Sequence, residues 1–276
     1  MPFDPVKGTY YRMPVFFGPT PGPRQWPMDE GFDPAHQTIL SVAVSFLTRA
    51  EQLQPFLPDR FELWGEPVAT LDITWMDKIP WLAGRGYAMS DFKFPAIYQS
   101  KDGPVHGTFV LVRWESLADP ILSGRDELGH NKLYCEIPAL GEQGGRSSTR
   151  LSWLGHTFAE LELWDLQPAP PVSPDPLERG QLHFKYVPKT GSPGEADVAY
   201  ATLSPPPPGP SATRLIESHK GQGRFDYLPT RWRDFPFGHR VIESIGGLEV
   251  REPRGATLTR SQGSTPHPGA NTIRLD

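Results

Sequence analysis

Proline is the feature that most constrains what this chain can fold into. The 276 residues include 33 prolines and 27 glycines, and a proline inside a helix removes a backbone donor and breaks the helix. Long helices are therefore excluded over most of the sequence. The short runs between these breaks are apolar and β-branched, as in TILSVAVSF at 38–46 and VHGTFVLVRWE at 105–115. Such runs are typical of strands.

The pattern predicts a mainly β fold, a β-dominated α+β class, in which an antiparallel curved sheet closes into a barrel or cone and the few helices are short. A short helix is expected within 48–58 and another near 229–236, whereas HRVIESIGGLEVRE at 239–252 is expected to be strand. We interpret 1–276 as one domain, with 1–36 as an extended arm over the body and 261–276 as a flexible tail.

Charge and composition exclude several classes of protein. The 27 basic and 32 acidic residues are well mixed and give a net charge of −5, so no basic surface for nucleic acid is expected. No apolar run approaches the roughly 18–20 residues of a membrane span, and the opening residues lack a signal-peptide pattern, which predicts a cytoplasmic protein. Cys135 is the only cysteine, and the histidines have no metal-binding spacing, so no metal is expected.

The stretch ILSGRDELGHNKLYCEIP at 121–138 places a lysine, Lys132, at the start of an apolar, strand-like run. A lysine amine attacks a ketone only when it is unprotonated, and its ordinary pKa near 10.4 leaves well under one per cent free at pH 7. Burial or a neighbouring cation lowers that pKa. Lys132 is therefore either a buried nucleophile or a surface lysine at the start of a strand.

The segment DPILSGRDELGHNKLYCEI resembles the acetoacetate decarboxylase family. In that family a Gly-Arg-Glu turn is followed, six residues after the acid, by the lysine that forms a Schiff base; here the turn is Gly124-Arg125-Asp126 and the lysine is Lys132. The segments RAEQLQPFLPDRFELWGEPVATLDIT and HFKYVPKTGSPGEADVAY are also similar, so the resemblance extends over roughly 38–260. It implies a β-dominated closed barrel or cone, a Schiff base on Lys132 and no external cofactor.

The sequence also departs from the decarboxylase pattern. The decarboxylase has a second lysine directly after the nucleophile, where this chain has Leu133, and an arginine before its first long strand, where the residues around Ile39 are apolar or neutral. One family acid is matched by Asp72, but a second falls near Tyr87, and that carboxylate is predicted to be missing. The resemblance therefore implies a member of the wider superfamily that acts on pyruvate as an aldolase or aldolase-dehydratase.

Five further residues are candidates for the site. Arg125 could bind a substrate carboxylate or hold its own turn together, and Glu127 could move a proton at the iminium or simply begin a helical turn. Asp72, on an otherwise apolar strand, could contact substrate or form a structural pair. Tyr87 could act as an acid or base and Tyr134 could contact substrate, or either could be a packing residue.

These observations predict an aldolase-dehydratase in which Lys132 condenses pyruvate or a related 2-oxo acid with an aldehyde, or catalyses the reverse reaction. One alternative is decarboxylation of acetoacetate or another 3-oxo acid by the same lysine. A non-enzymatic alternative is a β-barrel that binds a small apolar molecule. The expected partners are small molecules, with neither nucleic acid nor membrane, and we expect a homo-oligomer.

Overall fold

A computed structural model describes residues 4–27, 29–173, 175–207, 212–264 and 269–275. Strands make up 49% of the structure and helices 13%, which confirms the mainly β class with few, short helices. The predicted strand at 38–46 and the short helix within 48–58 are both found, the latter as one α-helical turn followed by a 3-10 turn.

The described residues form fourteen strands and three α-helices. The strands are β1 (Thr38–Leu47), β2 (Phe61–Leu63), β3 (Val68–Ile79), β4 (Arg85–Ser100), β5 (Gly103–Glu115), β6 (Lys132–Tyr134), β7 (Gly141–Gln143), β8 (Arg146–Trp153), β9 (His156–Pro168), β10 (Gln181–Pro188), β11 (Ala196–Ser204), β12 (Arg214–Tyr227), β13 (Glu252–Gln262) and β14 (Ile273–Arg274). The α-helices are α1 (Ala50–Leu53), α2 (Ala118–Ser123) and α3 (His239–Gly246). Short 3-10 helices lie at Val15–Phe17, Pro34–His36, Gln54–Phe56 and Pro80–Leu82, and a π-helical turn lies at Gly124–Leu128.

All the strands belong to one sheet, in the order β14-β11-β10-β5-β4-β3-β1-β13-β12-β9-β8-β7, with β2 paired to β4 and β6 to β5. The predicted antiparallel arrangement holds except at β5, whose outer edge is shared by two parallel partners. Strand β10 pairs with residues 108–109 of β5, and β6 pairs with residues 113–115. Between these two partners, the loop before β6 lies along residues 110–112 of β5, and the Asn131 side chain donates a hydrogen bond to the Val110 carbonyl.

The sheet is not closed into the barrel or cone that the sequence predicts. Closure requires the two terminal strands to share a ladder of hydrogen bonds, but among the described residues the path ends at β14 on one side and β7 on the other. These end strands have only two and three residues. Edge strands this short offer few backbone groups for pairing, so the sheet stays open.

Three segments near the C-terminus differ from their predicted structure. Residues 229–236, expected to contain a short helix, form turns. Residues 239–246, expected to be strand, form α3, which buries Ile242 and Ile245. Their spacing of three residues puts both on one helical face, and this burial outweighs the strand preference of β-branched residues. In the tail, expected to be flexible from 261 onward, β14 pairs with β11 and Leu275 is buried.

Strand β5 has a different environment on each face. Trp114 is fully buried in the core, against Phe158 and Phe235. Because successive side chains of a strand point to opposite faces, its neighbours Arg113 and Glu115 lie on the other side of the sheet. Both are also buried, so this second face carries charge inside the protein.

Candidate active site

A row of charged residues crosses four neighbouring strands. Asp72 of β3 lies opposite Asp91 of β4, Asp91 opposite Arg113 of β5, and Arg113 opposite Lys132 of β6. Residues directly opposite one another in paired strands project from the same face. Pairing of β6 with β5 therefore brings Lys132 onto the charged, buried face of the sheet.

The Lys132 amine is buried and held by two groups. Its Nζ donates to the carbonyl of Pro120 at 2.8 Å and lies 2.7 Å from Oε1 of Glu115, while the whole residue is only 6% exposed. The pKa of Lys132 is lowered to about 8, because burial outweighs the opposing charge of the Glu115 carboxylate and the nearby Arg113 guanidinium acts in the same direction as burial. The sequence left two alternatives for Lys132, a buried nucleophile or a surface lysine, and the structure places the side chain inside the protein.

Gly124, in the turn before Lys132, makes room for that amine. A Cβ at position 124 would lie closer than 3.0 Å to the Cδ, Cε and Nζ atoms of Lys132. Gly124 has ordinary right-handed helical backbone angles, so the constraint is one of space and not of conformation. The glycine is thus required by the path of the lysine side chain.

Glu115 is the carboxyl group that contacts the amine. It is fully buried, and burial raises its pKa, although the charges of Lys132 and Arg113 oppose the shift. The pKa of the amine is lowered while that of the acid is raised, so both shifts favour the uncharged pair. An unprotonated amine beside a protonated carboxyl group is the arrangement needed for attack on a ketone.

Arg113 anchors the polar network next to the lysine. Its guanidinium donates two bonds of 2.6 Å to the Asp91 carboxylate and a third to the Gln181 side chain. Burial disfavours the charge of Asp91, but the Arg113 guanidinium outweighs burial and lowers the pKa of this carboxyl. A bidentate pair of this kind fixes the orientation of both side chains.

His130 connects Arg113 to the hydroxyl of Ser204. Nδ1 of His130 lies 3.2 Å from the Arg113 guanidinium and Nε2 lies 3.0 Å from Oγ of Ser204. Because arginine can only donate, Nδ1 accepts and Nε2 carries the proton. Burial lowers the pKa of His130 well below its usual range, with His183 and Arg113 acting in the same direction. The imidazole is therefore neutral at pH 7.

The N-terminal arm contributes two arginines to this region. Arg12 and Arg24 both pair with the carboxylate of Glu127, and the three side chains are at most 9% exposed. Arg24 also donates to the carbonyl of Ser123. Burial lowers the pKa of Arg24 to about 10, so it remains protonated at neutral pH. Glu127 thus holds the arm against the turn that precedes Lys132.

Replacing Glu127 with glutamine is expected to loosen the arm, because two buried guanidinium groups lose their carboxylate. Breaking a buried ion pair costs about 3 kcal/mol or more, which corresponds to roughly 10²-fold faster hydrogen exchange at the arm's bonded amides, those of Thr20 and Gly22. Hydrogen exchange read by mass spectrometry measures the change.

The matched control is Glu249→Gln. Glu249 also pairs with an arginine, Arg49, but both side chains are about half exposed, and exposed pairs contribute little. Arm exchange should be unchanged in this control. Equal exchange in Glu127→Gln and the unaltered protein would show that Glu127 does not hold the arm.

The amine of Lys132 opens into a cavity of about 530 Å³, the amine cavity. Its polar lining includes Arg24, Tyr87, Arg113, Glu115, His130, Gln181 and Ser204. Its apolar lining includes Ile39, Met76, Ile79, Trp81, Met89 and Leu128. The lining therefore combines charged groups around the nucleophile with apolar side chains, of which Ile39 and Met76 belong to β1 and β3, separated from β6 by β4 and β5.

Of the six residues singled out in the sequence, Lys132 and Tyr87 line the amine cavity. Burial raises the pKa of Tyr87, so its hydroxyl remains protonated. The other four are Asp72, Arg125, Glu127 and Tyr134.

These four have other contacts. Asp72 pairs with Lys93, Arg125 donates to the backbone carbonyl of Lys132 at 2.8 Å, and Glu127 binds the arm arginines. Tyr134 is 42% exposed and is not part of the cavity lining.

Sequence reasoning missed Arg24, Arg113, Glu115 and His130. Arg113 and Glu115 carried a signal, since two charges alternate with apolar residues in the strand VLVRWE, and a buried charge needs a partner. Asp91 is a buried carboxylate on β4, four residues after Tyr87. The sequence predicts that the second family acid, near Tyr87, is missing. No local signal marks Arg24, which lies in an aperiodic arm.

No group of three or more metal-ligating side chains occurs among the described residues. Within the same part of the chain, every helix is too short or too polar to cross a membrane.

A family model described as acetoacetate decarboxylase (ADC) matches residues 12–252. A solved acetoacetate decarboxylase from Legionella pneumophila subsp. pneumophila str. Philadelphia 1 is 15% identical, with a TM-score of 0.65 and 87% of each chain covered. An acetoacetate decarboxylase-like enzyme from Sphingomonas wittichii RW1 is 15% identical, with a TM-score of 0.59 and coverage of 88% of this chain and 94% of that one.

A third similar structure is the enduracididine biosynthesis enzyme MppR, complexed with the condensation product of pyruvate and imidazole 4-carboxaldehyde. It is 16% identical, with a TM-score of 0.59 and 87% of each chain covered. A search of the curated proteins found no match. At these identities the solved structures show a shared fold.

Proposed function

Because this chain belongs to the acetoacetate decarboxylase family, we propose that Lys132 forms a Schiff base with the ketone of pyruvate or a related 2-oxo acid, and that the resulting enamine condenses with an aldehyde. The observation that carries the proposal is the buried Lys132 amine beside Glu115, with its pKa lowered to about 8. Roughly one-tenth of such an amine is unprotonated at pH 7, many times the fraction in an ordinary lysine.

Arg24 is the proposed partner of the substrate carboxylate. The Lys132 amine donates to the carbonyl of Pro120, and the Arg24 guanidinium donates to the carbonyl of Ser123. Pro120 and Ser123 are three residues apart on α2. Three helical residues span about 4.5 Å along the axis. A 2-oxo acid has its ketone and carboxylate on adjacent carbons, so it can reach both cations. Charge-assisted bonds from a guanidinium suit a carboxylate well.

Glu115 is the proposed acid and base, in place of Glu127, which is held in two ion pairs. Attack by the amine gives a carbinolamine, and the protonated Glu115 carboxyl group donates a proton to the departing hydroxyl, which leaves as water. The Glu115 carboxylate then removes a proton from the substrate methyl group, and the electron pair moves through the iminium to give the enamine. Glu115 ends this sequence protonated, as it began.

The enamine carbon then attacks the aldehyde, and the new oxygen receives a proton from Glu115. Tyr87 is suited to donate a hydrogen bond to that oxygen, because its raised pKa keeps the hydroxyl protonated. Removal of a second proton by the Glu115 carboxylate and loss of the hydroxyl as water give the unsaturated iminium. Its hydrolysis releases an unsaturated 2-oxo acid and the free amine.

The size and lining of the amine cavity support a second substrate. A cavity of about 530 Å³ is of the size that encloses a drug-sized ligand, and pyruvate alone would fill little of it. The apolar lining includes Trp81 as well as Ile39 of β1 and Met76 of β3, and these two strands are separated from β6 by β4 and β5. We therefore propose an aldehyde with an apolar or aromatic body.

The same apolar wall supports decarboxylation of a 3-oxo acid as the second candidate. If the Schiff base formed with the carboxylate directed toward Met76 and Trp81, the charge would lie against apolar side chains, where it is poorly solvated. Departure of the carboxylate as carbon dioxide would remove this unfavourable solvation and produce the enamine directly. The two candidates share Lys132 and differ in where the carboxylate lies.

Two parallel assays test the proposal. Intact mass after borohydride reduction reports whether pyruvate or acetoacetate becomes attached, and peptide mapping locates the adduct. Enone absorbance from pyruvate plus an aromatic aldehyde is compared with carbon dioxide release from acetoacetate. We expect an adduct on Lys132 and an enone; fast carbon dioxide release without enone would favour the decarboxylase, and an unmodified lysine would leave only a binding protein.

Replacing Gly124 with alanine is expected to displace the amine, because the new methyl group would overlap the end of the Lys132 side chain. Misplacement of a reacting group by about 1 Å can cost roughly 10²-fold in rate. The rate of borohydride-trapped adduct formation measures the loss, and circular dichroism checks the fold. The control is Gly141→Ala, where the added Cβ meets its nearest atom at 3.6 Å; equal rates in both variants would contradict the spatial argument.

A further inference from the structure

A second cavity, of about 590 Å³, lies beside the turn and strand that carry Lys132. Lys132 and His130 line both cavities, and Leu133 lines only the second. The amine of Lys132, however, contacts Glu115, Pro120 and Gly124, which line only the amine cavity. Neighbouring residues of a strand point to opposite faces, so β6 forms part of the wall between the two cavities. The second cavity is thus a separate place for a ligand.

Its lining combines an apolar floor with a cationic rim. The floor includes Phe56, Leu111, Leu133, Phe184, Val241 and Ile245. Besides Lys132, whose amine is held at Glu115, the lining includes three cations, Arg125, Lys185 and Arg240, and one acid, Asp126. This is a local excess of positive charge on a chain whose net charge is −5.

The three cations have no carboxylate partner within the part of the chain that the structure describes. Arg125 donates to the carbonyl of Lys132, and Lys185 donates to the carbonyl of Asp126; both acceptors are uncharged. Arg240 is exposed on α3 and forms no ion pair within the described ranges. An anion entering the cavity would therefore meet three positive charges that form no ion pair, against the single carboxylate of Asp126.

We propose that the second cavity binds an amphiphilic anion, a single carboxylate or phosphate on an apolar chain or ring. The head group lies at Arg125, Lys185 and Arg240, and the apolar body covers the floor formed by residues such as Leu133 and Phe184. The volume is in the range of ligand cavities that enclose a drug-sized molecule. Binding here does not require the reaction proposed at Lys132, although Lys132 lines both cavities.

The test is calorimetric titration of the full chain with decanoate at low salt. Decanol and decyltrimethylammonium are the matched probes, having the same chain with no charge or the opposite charge. We expect decanoate to bind once per chain and at least about tenfold more tightly than either probe. Equal binding of all three, or no saturable binding of decanoate, would overturn the proposal.

Charge-reversal variants locate the head group. Arg240→Glu is expected to weaken decanoate binding by about tenfold, since it removes one attraction and adds a repulsion. Arg233→Glu is the control, because Arg233 is also exposed near α3 but does not line the cavity. An equal loss in both variants would indicate a general charge effect and overturn the assignment.

Space-filling variants decide which cavity is used. Val241→Trp should fill the second cavity and abolish binding, whereas Ile39→Trp should fill the amine cavity and leave decanoate binding intact. The reverse result would place the anion beside Lys132. If sedimentation shows that a second copy of the chain covers the cavity and excludes decanoate, the proposal is also overturned. If Val241→Trp fails to fold, decanoate binding by Arg240→Glu still tests the proposal, because Arg240 is exposed and its replacement should not affect folding.

Discussion

Replacing Lys132 with alanine is expected to abolish the borohydride-trapped adduct and to lower turnover by about 10⁴-fold or more, the scale seen when a covalent nucleophile is removed. The reason is that the buried amine beside Glu115 is the proposed attacking atom. Trapping with pyruvate, followed by intact mass and steady-state rates, measures both effects. Lys185→Ala is the control, since Lys185 lies in the second cavity.

Chemical rescue makes this prediction sharper. In Lys132→Cys, alkylation with 2-bromoethylamine rebuilds an amine of nearly the same length at position 132. The other cysteine, Cys135, is fully buried and burial raises its pKa well above the usual range, so it is a poor nucleophile and should resist alkylation. Adduct formation should return only after treatment. An adduct that persists in Lys132→Ala would remove Lys132 from the mechanism.

The pH dependence should follow the same amine. The pKa of Lys132 is lowered to about 8, and only the unprotonated form attacks. The apparent kcat/KM should therefore rise with pH and level off above about 8. A rising limb near the ordinary lysine value of about 10.4 would contradict the buried environment of the amine.

Replacing Glu115 with glutamine is expected to lower turnover by about 10²–10⁴-fold, the usual contribution of a general acid or base. The substitution keeps the shape of the side chain and removes its proton. It should also move the rising limb of the pH profile to lower pH, because the Glu115 charge raises the pKa of Lys132. Rates across the pH range measure both effects in one experiment.

Glu136→Gln is the matched control, since Glu136 lies on the adjacent segment and accepts a hydrogen bond from Ser152. It should leave both the rate and the pH limb unchanged. If Glu115→Gln lowered the rate but left the rising limb of the pH profile at the same pH, the carboxyl group and the amine would not be in contact in the working protein.

Much of the fold followed from local features of the sequence. Proline and glycine exclude long helices, and β-branched runs such as 38–46 predict strands wherever they occur. The position of Lys132 also had a local signal, because the turn at Gly124 and the lysine are only eight residues apart. These inferences succeed because backbone sterics and short-range spacing act within a few residues.

Other features depended on distant parts of the chain. Whether the sheet closes is decided by its terminal strands, β14 and β7, and no short window of sequence contains both. The helix at residues 239–246 depends on burial of Ile242 and Ile245, which only the packed core provides. Propensity alone favoured strand there, and the tertiary environment outweighed it.

The sequence by itself determined a mainly β fold, the nucleophile candidate Lys132 and the family that its turn resembles. Only the tertiary structure decided which groups surround that lysine. Arg24 reaches Glu127 across 103 positions of sequence, and Glu115 reaches the amine through the register of β5 with β6. A one-residue shift of that register would turn each side chain to the other face. The partners of Lys132 are therefore set by strand pairing and by the docked arm, which local sequence does not encode.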